Sequence, residues 1–264
     1  MSRTRSNTFK VAQLNAENLF LFLNDTTDRD WRRLSAKEWQ KMSTSTVPNK
    51  SLVKTLWLAE TLLDMDADIV CINEVGGQES LHNFAKLFLK GQYVPHLLEG
   101  NSDRGIDVGF LVHKDFSAKL ELRTHKDRPL DFLYPHERDG GSQLTSHYFS
   151  RDCAELRIHR EGETKPALIV LCVHLKSKLD PEGIDPEGRD RREAELKTLI
   201  KIYRELREET GAPIVIAGDF NGCAKKSALA EEFRALADTD LESVIDIAGL
   251  DEEAAATQLQ FHRG

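Results

Sequence analysis

Residues 213–222 read PIVIAGDFNG, an apolar run that leads directly into polar residues. A continuous apolar run is typical of a strand that is buried on both faces, as in a parallel sheet. Asp219 and Asn221 are two residues apart, so in an extended chain they point to the same side. A carboxylate beside an amide suits a site that orients a water molecule and binds an oxyanion. The alternative is a strand that ends in an ordinary turn closed by an Asp or Asn side chain.

Three further predicted strands, ending near residues 14, 72 and 173, are also followed by polar side chains. These side chains belong to Asn15, Glu17, Glu74, His174 and Lys176. Strand ends at one edge of a sheet converge on one crevice, so the sequence predicts that all of them share a site with the first stretch. The alternative for each is a strand-end, turn or surface residue without a chemical role.

The residue types at this predicted site favour one kind of chemistry. Carboxylate and amide oxygens are ligands for Mg²⁺, Mn²⁺ or Ca²⁺ rather than for zinc. The sequence contains no Cys-x-x-Cys pair, no serine nucleophile elbow and no glycine-rich phosphate loop. Carboxylates, a divalent cation, a histidine and an amide together match the attack of water on a phosphate ester, in which a carboxylate orients the water and the metal and polar groups stabilise the developing charge.

The composition is that of an ordinary globular protein, with 40% hydrophobic and 30% charged residues. At 264 residues the chain could form one large α/β domain or two small ones, and the lack of a repeat or linker favours a single domain over residues 1–264. The net charge of −8 disfavours a protein that coats polyanions. A nuclease remains compatible, because bound cations can supply the positive charge.

Membrane and secretory signals are missing from the sequence. No apolar run approaches the ~18 residues of a membrane span, and residues 1–10 lack the apolar core of a signal peptide. The four cysteines are expected to be reduced thiols, since two of them lie inside predicted strands. We therefore expect a cytoplasmic protein that does not bind membranes, and we expect it to be a monomer.

Hydrophobic periodicity predicts the remaining elements. Helices are predicted over residues 35–41, 50–65, 80–90, 191–209 and 227–237, and further strands over residues 93–98, 106–112, 118–124, 153–159 and 242–248. The helix at 191–209 is heavily charged outside its apolar stripe, so we expect its charged side chains to be solvated rather than to form a partner site.

The order of these motifs resembles that of the endonuclease/exonuclease/phosphatase superfamily, the fold of pancreatic-type deoxyribonuclease. Residues 14–17 (LNAE) resemble the first-strand motif of that family. Residues 67–74 (ADIVCINE) resemble the strand whose final Glu binds the metal, and residues 218–221 (GDFN) resemble the most specific short motif of the family.

The middle of the chain carries the same resemblance, which covers residues 9–222 in all. Residues 172–178 (CVHLKSK) are similar to the form common in bacterial members. Residues 104–110 and 149–152 are similar to the middle strands, where an Arg approaches the substrate phosphate. The resemblance implies a four-layer α/β sandwich, in which two packed, mostly antiparallel mixed sheets lie between outer helices.

The resemblance also implies how a metal ion and the attacking water are bound. Glu74 should bind Mg²⁺ or Mn²⁺, with Glu17 as a second metal-side carboxylate, although family members often have Asp at the position of Glu17. Asp219 should orient or activate the attacking water.

The remaining site residues are assigned to the phosphate by the same resemblance. Asn221 should hold the phosphate oxyanion, and His174 should hydrogen-bond a phosphate oxygen or serve as an acid. Arg151, Lys176 and Asn15 should contact the substrate phosphate. Asp219, Asn221 and His174 are thus the predicted catalytic residues.

One part of the family pattern is missing from the sequence. Family members end with a strand carrying Asp and then Ser-Asp-His, and no Ser-Asp-His follows Asn221 here. Residues 257–264 resemble the strand that normally precedes that finish, and His262 lacks the neighbouring Asp that a substitute would need. The sequence therefore predicts a chain that is truncated at its C-terminus, which could leave it inactive.

The sequence thus predicts a Mg²⁺-dependent phosphodiesterase that hydrolyses nucleic acid, DNA in the first place, as an endo- or exonuclease. The HLKSK form of residues 174–178 and the lack of a membrane-binding stretch favour a nuclease over a lipid phosphodiesterase. Two alternatives stay open. One is a phosphomonoesterase or lipid or inositol-phosphate phosphoesterase of the same fold. The other is a non-catalytic phosphate-binding protein, if the final segment is truly absent.

Overall fold

The computed structural model describes residues 8–24, 30–138, 146–225 and 228–250. The strands are β1 (Val11–Leu19), β2 (Ile69–Val75), β3 (Tyr93–His96), β4 (Asp107–His113), β5 (Lys119–Thr124), β6 (Cys153–His159), β7 (Leu168–His174) and β8 (Ile214–Asp219). The α-helices are α1 (Ala36–Lys41), α2 (Leu52–Met65), α3 (Gly77–Leu87), α4 (Pro135–Arg138), α5 (Arg189–Thr210) and α6 (Val244–Ala248). Within the described ranges, no helix has the length and apolar character needed to cross a membrane.

Two four-stranded sheets form the centre of the fold. The strand order is β1-β2-β4-β3 in the first sheet and β5-β6-β7-β8 in the second. β1 and β2 are parallel, and so are β7 and β8, whereas the other neighbouring pairs are antiparallel. The predicted α/β sandwich of two mostly antiparallel mixed sheets is therefore confirmed.

The apolar core is divided into three layers by the two sheets. One layer lies between the sheets, a second lies between the first sheet and helices α2 and α3, and a third lies between the second sheet and α5. In β7, Val170 belongs to the layer between the sheets and Leu171 to the layer under α5, since successive side chains of a strand point to opposite faces. Both faces of β7 are covered, which explains its uninterrupted apolar sequence.

Several predicted helices are confirmed, with small changes of their bounds. α1 begins with a capping box, in which Ser35 Oγ accepts from Glu38 N at 3.3 Å and Glu38 Oε2 accepts from Ser35 N at 2.9 Å. α5 ends at Gly211, whose φ of 67° suits a glycine. α3 begins and ends three residues earlier than predicted.

The C-terminal part of the described chain differs from the prediction. The strand predicted at 242–248 is wrong, because these residues contain the one-turn helix α6. The Ser243 side chain accepts a hydrogen bond from Ile245 N, and Gly249 adopts a φ of 62°, so both ends of the turn are capped. A 3₁₀ helix at Glu231–Asp238 replaces the helix predicted at 227–237. Residues 257–264, predicted as a strand, lie outside the described residues.

Candidate active site

The ends of four strands bring one amide, two carboxylates and one imidazole together at one edge of the sandwich. Asn15 lies in β1, Glu74 in β2, and His174 and Asp219 pair in register at the ends of the parallel strands β7 and β8. Asn15 Nδ2 donates to Glu74 Oε1 at 3.3 Å and to Asp219 Oδ2 at 3.0 Å. His174 Nε2 is 3.9 Å from Glu74 Oε1. The predicted convergence of these four side chains is what the structure contains.

Irregular backbone aims the acidic part of this cluster. The pairing of β1 with β2 shifts register between Asn15 and Leu19, and the pairing of β2 with β4 shifts on either side of Glu74. Four of the eight non-glycine residues with positive φ among the described residues lie at this edge: Glu17, Asn18, Glu74 and Asn221. Bulges re-aim side chains, and left-handed backbone away from glycine costs free energy. Strained backbone is therefore concentrated at the cluster.

Backbone amides hold the carboxylates in place. Glu74 Oε2 accepts from Asn18 N at 3.0 Å, and Asp219 Oδ1 accepts from Asn221 N at 2.9 Å. The second bond forms a turn closed by an Asp side chain, which the sequence allowed as the alternative to a site. Turn and cluster coexist, because the other Asp219 oxygen accepts from Asn15. Asn221 Nδ2 donates to Leu175 O at 3.0 Å.

A buried, positively charged region lies beside the acidic cluster. Arg151 is only 6% exposed, and neither its Nε nor His174 Nδ1 has a hydrogen-bond partner within the described part of the chain. Burial lowers the pKa of Arg151, and Glu195 acts in the opposite direction. Burial lowers the pKa of His174 to about 4, helped by the charges of Arg151 and Arg104 and opposed by Asp219. The imidazole is therefore neutral at neutral pH, beside a guanidinium that no described carboxylate contacts.

Two predicted site residues direct their charged groups elsewhere. Glu17 is 63% exposed on its side chain, and its Oε2 accepts from Lys54 Nζ at 2.8 Å, which lowers the pKa of Glu17. Lys176 Nζ donates to Ser177 O at 3.1 Å and to Leu179 O at 2.5 Å. The metal role of Glu17 and the phosphate role of Lys176 stay predictions, and neither side chain contacts the cluster here.

Two contributors to the site, Asn73 and Asn18, were not predicted from the sequence. Asn73 is fully buried and donates from Nδ2 to Val173 O at 2.8 Å, so it joins the two sheets beside the cluster. Asn18 binds Glu74 through its backbone, and its Oδ1 accepts from Arg104 at 2.8 Å. The second amide in the NAEN run at residues 15–18 was the available signal for Asn18, whereas a buried Asn within an apolar strand gives no comparable signal.

Glycine allows the two parallel strands of the second sheet to meet closely at the site. Gly218 has a φ of 143°, and a Cβ atom there would lie 1.9 Å from Val173 O and 2.8 Å from Val173 C. No side chain fits in that space without movement of the β7 backbone. Gly218 thus sets how closely Asp219 approaches His174.

The donor set fits a weakly held hard cation rather than a closed metal cage. No group of three or more His, Cys, Asp or Glu side chains is arranged for a metal in the described ranges. The carboxylates of Glu74 and Asp219 both contact Asn15 Nδ2, so they lie close together. Mg²⁺ is commonly held by one or two carboxylates together with waters and substrate phosphates. Glu74 and Asp219 are therefore the residues that fit Mg²⁺ or Mn²⁺.

Comparisons with known proteins agree with the fold. The model of the Endonuclease/Exonuclease/phosphatase family matches residues 53–229, more than half of the chain. The human Nocturnin catalytic domain with bound sulfate anion is 14% identical, with a TM-score of 0.53 over 77% of this chain and 67% of that one. TDP2 from C. elegans is 20% identical, with a TM-score of 0.41, and mannosyl-6-phosphatase Bt3783 from Bacteroides thetaiotaomicron is 14% identical, with a TM-score of 0.46.

The extent of these matches differs between the solved structures. The match to TDP2 spans 63% of this chain and 42% of the TDP2 chain. The match to Bt3783 spans 88% of this chain and 70% of the Bt3783 chain. At these identities the likeness concerns the fold alone. None of the curated proteins compared matches this chain.

Proposed function

The chain belongs to the endonuclease/exonuclease/phosphatase family, and from this premise we propose that it hydrolyses phosphodiester bonds of nucleic acid with the help of a divalent cation. One observation carries the proposal: a buried guanidinium without a described carboxylate partner, Arg151, lies beside an acidic cluster at the strand ends. A buried cation is costly unless an anion compensates it, and a phosphate would do so. The acidic cluster supplies the complementary cation site. The sulfate in the Nocturnin domain is an anion of the same tetrahedral shape.

The acidic residues act on the metal and the attacking water in this proposal. Glu74 and Asp219 would hold Mg²⁺ or Mn²⁺, which when bound offsets negative charge on the phosphoryl oxygens. Asp219 also accepts the proton of the attacking water or orients it, since Asn15 and the Asn221 amide fix its carboxylate. The predicted phosphate contact of Asn15 becomes a positional role, because its amide bridges the two carboxylates.

The buried region binds the phosphate. Arg151 offers planar donors that match two phosphate oxygens, and neutral His174 donates one further hydrogen bond without adding charge. Asn221 Nδ2 carries two hydrogens and donates one of them to Leu175 O, so the other is available for the predicted oxyanion role. The backbone N–H of Asn221 also orients Asp219.

A nuclease assay with two substrate classes tests the proposal. Supercoiled plasmid is expected to be nicked in the presence of Mg²⁺ or Mn²⁺ and to stay intact with EDTA. Release of phosphate from inositol phosphates and sugar phosphates, with plasmid intact, would instead support the phosphomonoesterase alternative. Phosphate binding without turnover of either substrate would support the non-catalytic alternative.

Replacing Arg151 with methionine is expected to lower kcat/KM for the cleaved substrate by about 10²–10³-fold, the usual cost of removing one charge-stabilising donor. The same change removes a buried cation without a described ion-pair partner, so the melting temperature should stay the same or rise. Kinetics and thermal unfolding of the same preparation measure both effects.

The matched control for this variant is Arg157→Met. Arg157 is also buried, but its guanidinium is paired with Glu155 and Glu209. Breaking these pairs is expected to lower the melting temperature and leave kcat/KM unchanged. A destabilised Arg151→Met protein with normal kcat/KM would contradict the assignment of Arg151 to the phosphate.

A further inference from the structure

Two charged side chains of α5 are buried, contrary to the expectation that the charged residues of this helix are solvated. Arg192 is 1% exposed and Glu195 is 0% exposed. They lie three positions apart, so they occupy neighbouring places on one face of the helix. Burying a charge is unfavourable unless its surroundings compensate, so this face requires an explanation.

Glu195 accepts hydrogen bonds from two separate segments of the chain. Its Oε1 accepts from Ser150 N at 2.7 Å and from Ser150 Oγ at 2.5 Å. Its Oε2 accepts from Lys176 N at 2.6 Å. Ser150 directly precedes Arg151, and Lys176 follows His174 by two residues. A single carboxylate therefore joins the segments that carry the two phosphate-binding side chains.

Arg192 binds the carbonyl of the Lys176 residue whose N–H is bound by Glu195. Its Nη1 donates to Lys176 O at 3.0 Å, while its Nε donates to Glu232 Oε1 at 3.0 Å. The N–H and the carbonyl of Lys176 are thus both fixed by side chains of α5. The chain that leaves His174 is anchored directly behind the site.

An ion pair alone does not account for Glu195. The nearest described cation is Arg191, whose Nε lies 3.8 Å from Oε1, beyond hydrogen-bond distance. All three close donors are neutral groups. Glu195 does not touch Arg151, but its negative charge raises the pKa of Arg151 and so stabilises the charged guanidinium from a distance.

We propose that Glu195 is a positioning residue that sets the placement of Arg151 relative to His174, and this inference rests on the proposed function of that pair. A carboxylate is needed because both of its oxygens must accept hydrogen bonds. Glutamine has one acceptor oxygen, so its NH₂ group would face either the Ser150 N–H or the Lys176 N–H. One of the two segments is then released.

The first test compares Glu195→Gln with a control on the same helix. Glu195→Gln is expected to lower kcat/KM by about tenfold to hundredfold, because small displacements of positioning groups are costly for catalysis. The control is Glu193→Gln, which removes a half-exposed carboxylate paired with Lys197 on the helix surface. Its kcat/KM should equal that of the wild type.

The second test is a double-mutant cycle, which distinguishes an effect of Glu195 through Arg151 from an effect on stability alone. If Glu195 acts through Arg151, then Glu195→Gln should cause no further loss of kcat/KM in the Arg151→Met background. An equal further loss in that background would overturn the inference. If Glu195→Gln fails to fold, Ser150→Ala removes one hydrogen bond only and should show the same non-additivity with a smaller loss, about threefold.

Inorganic phosphate separates this inference from the proposed function. The affinity of the metal-free protein for phosphate, measured by calorimetry, should fall about tenfold in Glu195→Gln, whereas Glu195→Gln should cause no further loss when it is added to Arg151→Met. If the wild type cleaves no nucleic acid but phosphate affinity follows this cycle, the function fails and the positioning role stands. If cleavage depends on Arg151 while the Glu195 effect is additive, the function stands and the positioning role fails. If the wild type neither binds phosphate nor cleaves, both fail.

Discussion

Replacing Glu74 with glutamine is expected to lower metal-dependent phosphodiester cleavage by about a thousandfold or more. A carboxylate that holds the cation contributes several kcal/mol to the transition state, and each ~1.4 kcal/mol corresponds to a factor of ten in rate. Glutamine preserves the size of the side chain and can still accept from Asn18 N, the contact that Glu74 Oε2 makes at 3.0 Å. The change therefore removes the charge and the acceptor for Asn15 Nδ2, while the contact with Asn18 N keeps the bulge of β2 in place.

Plasmid nicking as a function of Mg²⁺ and Mn²⁺ concentration measures this effect. High metal concentration should restore part of the activity, because Asp219 still supplies one carboxylate beside Asn15. Glu79→Gln is the matched control, since Glu79 is an exposed carboxylate in the first turn of α3. Activity of Glu74→Gln within threefold of the wild type at every metal concentration would rule out a metal role for Glu74.

Replacing Gly218 with alanine is expected to cost about 4 kcal/mol or more of folding free energy. The new Cβ would lie 1.9 Å from Val173 O, where only movement of the β7 backbone could make room. β7 is covered on both faces, so the strand cannot shift without disturbing two apolar layers. Total stabilities of domains are about 5–15 kcal/mol, so soluble yield should fall sharply.

The Gly211→Ala variant measures the cost of placing alanine at a positive φ without a steric clash. Gly211 has a φ of 67°, but no atom lies within 4 Å of a Cβ placed there. The left-handed conformation alone should cost about 1–2 kcal/mol. Urea unfolding measures both variants, and equal losses for the two would show that the contact with Val173 carries no penalty.

The periodicity of the sequence predicts the sheets well because the pattern of a strand follows what covers its two faces. Both faces of β7 meet apolar layers, whereas one face of β6 carries Glu155 and Arg157. The run in β7 and the alternation in β6 indicate strands without reference to distant residues. The four polar strand ends were likewise found from sequence. They belong to two sheets rather than to one, and the parallel pairs β1-β2 and β7-β8 end at the same edge of the sandwich. Their predicted meeting is realised by the two hydrogen bonds from Asn15.

The rest of the site depends on contacts that no local pattern encodes. The left-handed backbone of Glu74 follows from register shifts between paired strands, and the burial of Arg151 follows from the fold around it. Glu195 lies in a heavily charged helix that resembles a solvated surface in sequence, and only packing against residues 150 and 176 distinguishes it. Residues 242–248 were predicted as a strand, whereas caps at Ser243 and Gly249 stabilise the helix α6 there.

The hydrogen bond between Asn15 and Asp219 joins positions 204 residues apart. Synthesis proceeds at roughly 5–20 residues per second, so roughly 10–40 s separate the appearance of these two residues at the ribosome. Contacts of such long sequence separation also form late, because the intervening chain must be ordered first. A nascent fragment that ends before Asp219 therefore carries Asn15, Glu74 and His174, three of the four clustered side chains, and no complete site. Under the proposed function, cleavage activity is expected to appear only after β8 has been synthesised.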